Sequence, residues 1–452
     1  MIYIIKERLM MWTKLLSKKR YWEKGKYEAD EKEMFFRSSF HKDYDRVIFS
    51  NSFRRLSNKT QVHPLAKNDH VHNRLTHSLE VASVGRSFGL RVGEFLNNKY
   101  EDKSIDPYDV AYIIQTACLA HDIGNPPFGH AGEEVIKEWF KRNENEDFLK
   151  DLTDEEKADF QTLDGNAQSF RIVSQLENSS FQGGLRLTFA TLGTLVKYPY
   201  PSSHEKAMKK SKFNFFQSEN ELFDLVFCEL GLKEPDGSYR RHPLSYLMEA
   251  SDDICYGLLD LQDAFELDIV NFEDARPIFN LLCGQEETDK KYNNEGMSKI
   301  NKVSSLAAIS INNLALHVMK VFEDNFDDIT QGQQPTDLIE LFVDKDLKAG
   351  IAAIKKLARD EIFNEKRKIE LELGAYTIIK TLLDNFIRAT YQQNQTEFLS
   401  FRDKRVLTLM GDNRPLKDNT LYNQYQTVVD YIVGMTDNHA KHVAHQFNGM
   451  SY

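Results

Sequence analysis

Apolar residues recur at three- and four-residue intervals through long stretches of the chain, and proline and glycine cluster in the gaps between them. That period places them on one face of an α-helix. It predicts helices in "NRLTHSLEVASVGRSFGLRVGEFL", "DVAYIIQTACLAHDIG", "HPLSYLMEASDDICYGLLDLQDAFEL" and "KIELELGAYTIIKTLLDNFIRATYQ". "LRLTFATLGTLVKYPY", Leu185 to Tyr200, is the most strand-like run, and it could equally be a helix ending at Pro199. No series of alternating strands appears, so the expected fold class is all-α. The polar stretches Asn143 to Phe160, Ser202 to Asn220 and Gly284 to Lys302 read as loops or links. The expected organisation is an N-terminal extension over 1–45, a chemical core over 46–283, and a C-terminal helical region over 284–452 packed on that core.

Composition narrows the class. The chain has 452 residues, 41% of them hydrophobic and 28% charged, which allows a sizeable core under a well-solvated surface. A net charge of -11 makes it a poor general polyanion binder but leaves room for a local basic pocket for one phosphate ester. Cys118, Cys228, Cys255 and Cys283 form no CxxC pair and read as buried, reduced thiols of a cytoplasmic protein. No apolar run reaches the roughly 18 residues a membrane span needs, so no membrane contact is expected.

The chemistry concentrates in "LAHDIGNPPFGHAGEEV", Leu119 to Val135, where an apolar run ends in adjacent His121 and Asp122. Helix neighbours point about 100° apart, so both can reach one ion only at a helix end. Gly124, Pro126 and Pro127 supply such an end. A bare His–Asp pair could equally be capping. Two other features weigh against that. "HNRLTHSLEVA" sets His77 among apolar neighbours, with Arg74 one turn earlier on the same face. "MEASDDICYGLLD" sets Asp252 and Asp253 mid-helix, where acidic residues are rare without a partner. Together they offer two imidazoles and two carboxylates, a mixed donor set for a divalent metal.

With "FRRLSNKTQVHPL", "DGNAQSFRI", "LTFATLGTLVKYP" and "KFNFFQSE", these stretches run in order from Phe53 to Tyr256. The set resembles the bacterial deoxyguanosine triphosphate triphosphohydrolases of the HD-domain phosphohydrolase superfamily. "AHDIGNPPFGHAGE" is its most specific part. The resemblance implies an HD-type helical core with an added C-terminal helical lobe. It implies His77, His121, Asp122 and one of Asp252 or Asp253 as ligands of a single divalent metal, Mn²⁺ or Mg²⁺ first, with Fe²⁺, Zn²⁺ or Ni²⁺ as other choices. The family's D-x-x-x-Y pattern selects Asp252 with Tyr256, and Asp252, Tyr256 and Asp260 do recur on one helical face.

The same resemblance implies that His130 and Glu133 act at the reacting phosphorus together with a water held at the ion. Arg54, Arg74, Lys197 and Tyr198 would neutralise phosphates. Tyr256 would gate the 2′ position, Gln61 and Asp260 would hold the 3′-OH, and Asn166 with Gln168 would support the site. Lys209, Lys210 and Lys212 read as a solvated loop, and His63, His70 and His72 as surface or substrate-flanking residues.

The function these residues point to is hydrolysis of dGTP, or of dNTPs generally, to deoxynucleoside and triphosphate by water attack at the α-phosphorus. Competing readings are an HD-type nucleotidase or phosphodiesterase, and a nucleotide- or single-stranded-DNA-binding regulator with a vestigial site. The resemblance further implies a homo-oligomer, a hexamer first, with single-stranded DNA as an allosteric ligand.

Overall fold

The computed structural model describes residues 2–23, 26–29, 36–62, 71–178, 183–334 and 336–450. His63 and His70 lie outside them. The fold is all-α, as expected: the only sheet among the described residues is an antiparallel ribbon of β1 (Lys19–Glu23) and β2 (Lys26–Ala29). The helices that build the site are α1 (Arg74–Tyr100), α2 (Pro107–Ala120), α3 (His130–Lys141), α4 (Pro243–Glu266), α5 (Lys299–Asp324), α6 (Lys366–Gln395), α7 (Leu421–Val433) and α8 (Asp437–Phe447).

Local sequence explains where these helices start. Asn73 caps α1 through the Thr76 amide, and the Thr76 side chain returns the bond. Asp106 caps α2 and Pro107 occupies its first position, where a missing N–H costs nothing. Pro243 does the same for α4.

The α1–α2 pair is the closest packing near the site. Gly85, Gly89 and Gly93 repeat every four residues on the α1 face that meets α2. A Cβ on Gly89 would sit 2.4 Å from the Ala111 Cα, and one on Gly93 2.4 Å from the Pro107 Cα. The glycines therefore let the two backbones touch, which brings His77 beside the C-terminal end of α2.

Two apolar clusters hold the fold. One runs from Trp12 to Ile362 and the other from Phe128 to Ala444. The N-terminal stretch feeds the first: Trp12 stacks on Phe326 at 5.7 Å between centroids, and the fully buried Arg20 donates to Asp43 and to the Ser39 carbonyl.

Several expectations change. The polar stretches read as loops contain the helices Asp154–Gln161, Glu205–Lys210 and Gln285–Tyr292. The first begins with a reciprocal cap between Thr153 and Glu156. Leu185 to Tyr200 holds the helix Phe189–Leu195, which gives way to extended backbone at Val196. Helix α5 contains an 18-residue window of mean hydropathy 1.3, long and apolar enough to cross a bilayer by length and composition. Interspersed Ser and Asn hid it from a search for an unbroken apolar run. Its buried residues, among them Leu306, Ser310 and Leu314, belong to a helix packed on α4 and on Phe272–Cys283. All four cysteines are unpaired; Cys228 is exposed rather than buried.

Candidate active site

Three helices converge on one cluster. His77 comes from the first turn of α1, His121 and Asp122 from the end of α2, and Asp252 from the middle of α4. The His77 Nε2 lies 3.1 Å from the Asp252 Oδ1, and the His121 Nε2 lies 3.4 Å from the same oxygen. One donor atom each from His77, His121 and Asp122 falls within 4.8 Å of the others.

The His121 Nδ1 is 2.6 Å from the Cys118 carbonyl. A carbonyl only accepts, so Nδ1 carries the proton and Nε2 keeps its lone pair. That Nε2 is buried without a hydrogen-bond partner, which is costly unless something electropositive meets it. The donor set therefore fits a divalent cation: two imidazoles and two carboxylates, the buried lone pair aimed among them. Asp253 is exposed and does not line the cavity, while Asp252 does.

Two buried cations frame the carboxylates. Arg74 donates from Nη1 to the Asp122 Oδ2 at 2.7 Å, and Lys197 from Nζ to the Asp252 Oδ2 at 3.1 Å. Burial opposes ionisation of Asp122, but the Arg74 guanidinium outweighs it and holds the carboxyl down at about 2. The Lys197 ammonium likewise overcomes burial at Asp252 and keeps it well below the usual carboxylate range. The Arg74 Nε has no partner, so the guanidinium retains donor capacity.

The break after Asp122 aims α3. Phe128 and Gly129 both take positive φ, 62° and 59°. Glycine is required at 129 because φ 59° with ψ -129° is a backbone conformation that L side chains rarely adopt. The chain then enters α3 with His130 as its first residue. His130 is exposed and Glu133 is buried, and with Glu134 each offers a donor atom within 4.8 Å of the others.

The break is tied to the C-terminal helices. The Asp437 carboxylate, at the start of α8, accepts from the Phe128 amide at 2.9 Å and the Thr60 amide at 3.1 Å. Lys59 donates to the carbonyls of Asn125 at 2.6 Å and Val433 at 2.7 Å.

These groups open on a cavity of about 450 Å³. Of the residues proposed from sequence, Gln61, Arg74, His77, Asp122, His130, Glu133, Asp252 and Tyr256 line it. The Gln61 Oε1 is buried without a partner. Tyr256 presents a ring that is 40% exposed, tilted against Phe363 at 6.5 Å. His121 and Lys197 stand behind the lining, against Asp252. Asp260 is buried one turn beyond Tyr256, its Oδ2 unpartnered, and it does not reach the lining.

Others lie apart. Arg54 is exposed and off the cavity. Tyr198 is half-buried behind it, with its amide bonded to the Asn214 side chain at 2.7 Å. Asn166 bonds to Asp164, and Gln168 to Asp430, so both brace the helix Gly165–Arg171. Sequence reasoning missed Asn125, Phe128, Phe363, Lys368 and Glu372, and set Lys212 in solvent; all six line the cavity. His72, read as flanking, is pinned between Asp263 at 2.6 Å and Glu80 at 3.3 Å.

The chain is similar in sequence to known proteins. The HD domain family matches residues 74–178, which contain His77, His121 and Asp122. A deoxyguanosinetriphosphate triphosphohydrolase-like protein of Pseudomonas aeruginosa strain PAO1 is 44% identical over 98% of this chain and 99% of its own length. One from Synechocystis is 36% identical over 98% of this chain and 100% of its own. A deoxyguanosinetriphosphate triphosphohydrolase of Serratia proteamaculans is 32% identical over 79% of this chain and 78% of its own. With its histidine–aspartate cluster assembled at the end of α2, the chain belongs to the deoxyguanosinetriphosphate triphosphohydrolase family of metal-dependent HD-domain hydrolases.

Proposed function

We propose that the protein hydrolyses deoxynucleoside triphosphates, dGTP first, to deoxynucleoside and inorganic triphosphate. The observation that carries this reading is the line Asp252–Tyr256 along α4. It runs from the histidine–aspartate cluster into the same cavity that holds His130 and Glu133. A phosphate at the cluster then sets the sugar against an aromatic ring. Relatives named as deoxyguanosinetriphosphate triphosphohydrolases support the choice of substrate.

His77, His121, Asp122 and Asp252 would hold one divalent ion, Mn²⁺ or Mg²⁺, which when bound supplies Lewis-acid charge at the α-phosphoryl group. Arg74, with its unpartnered Nε, binds phosphate oxygens, and Lys197 adds charge behind Asp252. Glu133 holds the His130 imidazole, and His130 moves the proton. As the water oxygen bonds to the α-phosphorus, the P–O5′ bond breaks, O5′ takes a proton, and triphosphate leaves intact. The Tyr256 ring packs where a 2′-hydroxyl would sit, while Gln61, at the cavity, serves the 3′ side. The proposal extends to a cytoplasmic homo-oligomer, a hexamer first, with single-stranded DNA as an effector.

The test is a substrate panel. Metal-loaded protein is incubated with each dNTP and each NTP. Turnover of dGTP, with GTP far behind, is the expected result; equal turnover of GTP and dGTP removes the sugar gate.

A further inference from the structure

Lys137 lies one turn beyond Glu133 on α3, and its side chain is only 3% exposed. Its ammonium donates to the Glu133 Oε1 at 2.7 Å and to the Glu134 Oε1 at 2.9 Å. The other Glu133 oxygen accepts from the Gly165 amide at 3.3 Å. Both oxygens of this buried carboxylate are thus fixed, one by a charge and one by the backbone.

Other charged groups around Glu133 do less. On the segment before Phe213, Lys212 is 37% exposed and stands 4.0 Å from the Glu133 Oε1, closer at 3.5 Å to Asp164. Asp164, at the start of the helix Gly165–Arg171, is a second buried carboxyl, and burial and then Glu133 oppose its own ionisation while Lys212 favours it. On α3 itself His130 and Glu134 lie near, and α6 brings Lys368 and Glu372 to the cavity wall, already paired with each other. Across the cavity Arg74 directs its Nη1 to Asp122. Among the described residues, Lys137 alone places a buried cation within hydrogen-bond distance of Glu133.

A lysine four residues after a glutamate is commonly a solvent-screened surface pair of little weight. Burial at both ends changes its meaning, because removing one partner leaves an uncompensated charge in a poorly solvated site. Resting on the reading of His130 and Glu133 as the proton-handling pair, we propose that Lys137 is a positioning residue for the reaction. Its ammonium fixes Glu133 as an ionised partner turned toward His130. Lys137 touches no substrate; it acts through Glu133.

The sign follows from the charge. Without the ammonium, a buried carboxylate loses its stabilising partner and binds a proton more readily, so the acid limb of the pH profile moves to higher pH. The experiment measures kcat and KM against pH for the metal-loaded wild type, Lys137→Met, Lys137→Gln, Lys137→Arg, Glu133→Gln and His130→Ala, with metal content checked for each. In Lys137→Met the limb should rise by about 1–3 pH units, the usual effect of one close opposite charge. KM should change little, and Lys137→Arg should return the limb toward the wild-type position. Lys137→Gln keeps a donor without the charge and carries the same test if the Met variant does not fold. An acid limb that stays in place in both neutral variants overturns the proposal. Loss of roughly 10²–10⁴-fold in kcat for Glu133→Gln and His130→Ala beside an unmoved Lys137 limb would sink Lys137 alone. Full activity in those two variants would sink the reading on which it rests.

Discussion

Gly89→Ala should loosen the α1–α2 contact on which the site depends. The added Cβ would lie 2.4 Å from the Ala111 Cα, 2.7 Å from its amide nitrogen and 2.8 Å from the Val110 carbonyl oxygen. All three are backbone atoms of the facing helix, so no side chain can rotate away and the helices must separate. Overpacking of this kind costs about 1–3 kcal/mol, and the absence of a flexible neighbour puts this site at the upper end. Alanine returns up to about 1 kcal/mol through better helix propensity, leaving a net loss of about 2 kcal/mol. Gly374→Ala in α6 is the control, because nothing lies within 4 Å of its Cβ; it should be neutral or stabilising. Denaturant unfolding of both variants reads the difference. Separation of α1 from α2 also carries His77 away from His121, so metal affinity should fall in Gly89→Ala and hold in Gly374→Ala. A Gly89→Ala protein as stable as the wild type, with unchanged metal affinity, would refute the close-approach argument.

Asp122→Ala should abolish metal retention while the fold persists, and elemental analysis showing full occupancy would remove Asp122 from the ligand set. Tyr256→Ala should narrow the dGTP-over-GTP preference, whereas Tyr256→Phe should keep most of it, because the ring rather than the hydroxyl fills the 2′ space; kcat/KM for both substrates decides. Burial works against protonated His72, but the hydrogen bonds it donates to Asp263 and Glu80 raise it to about 10, above its ordinary 6.5. Stability from this group is therefore fully present below pH 6.5 and lost as pH rises toward 10. Unfolding midpoints should fall across that window, and His72→Gln should flatten the fall.

The parts of the site legible in sequence are those written within one helix or one break. His121–Asp122 before Gly124, Pro126 and Pro127 announces a helix end, and the Asp252–Tyr256 spacing announces one face of α4. Both follow from helix period alone. What stayed hidden arrives by tertiary packing. Phe363, Lys368 and Glu372 come to the cavity wall from beyond the matched HD region, and nothing local distinguishes them from solvent-facing residues. Arg54 and Arg74 look alike in sequence, yet only Arg74 sits on a helix packed against α2. Lys137 reads as an ordinary solvated lysine until Glu133 is seen buried beside it. The Thr153-x-x-Glu156 cap was visible in sequence, and the polar composition around it led to a loop reading; the cap signal was the better guide.

The most direct test of the central claim is product analysis by ³¹P NMR of dGTP turned over in H₂¹⁸O by the metal-loaded protein. Attack at the α-phosphorus with loss of O5′ predicts intact tripolyphosphate carrying the ¹⁸O at a terminal phosphorus, together with unlabelled deoxyguanosine. Pyrophosphate with dGMP, or orthophosphate with dGDP, would contradict the account.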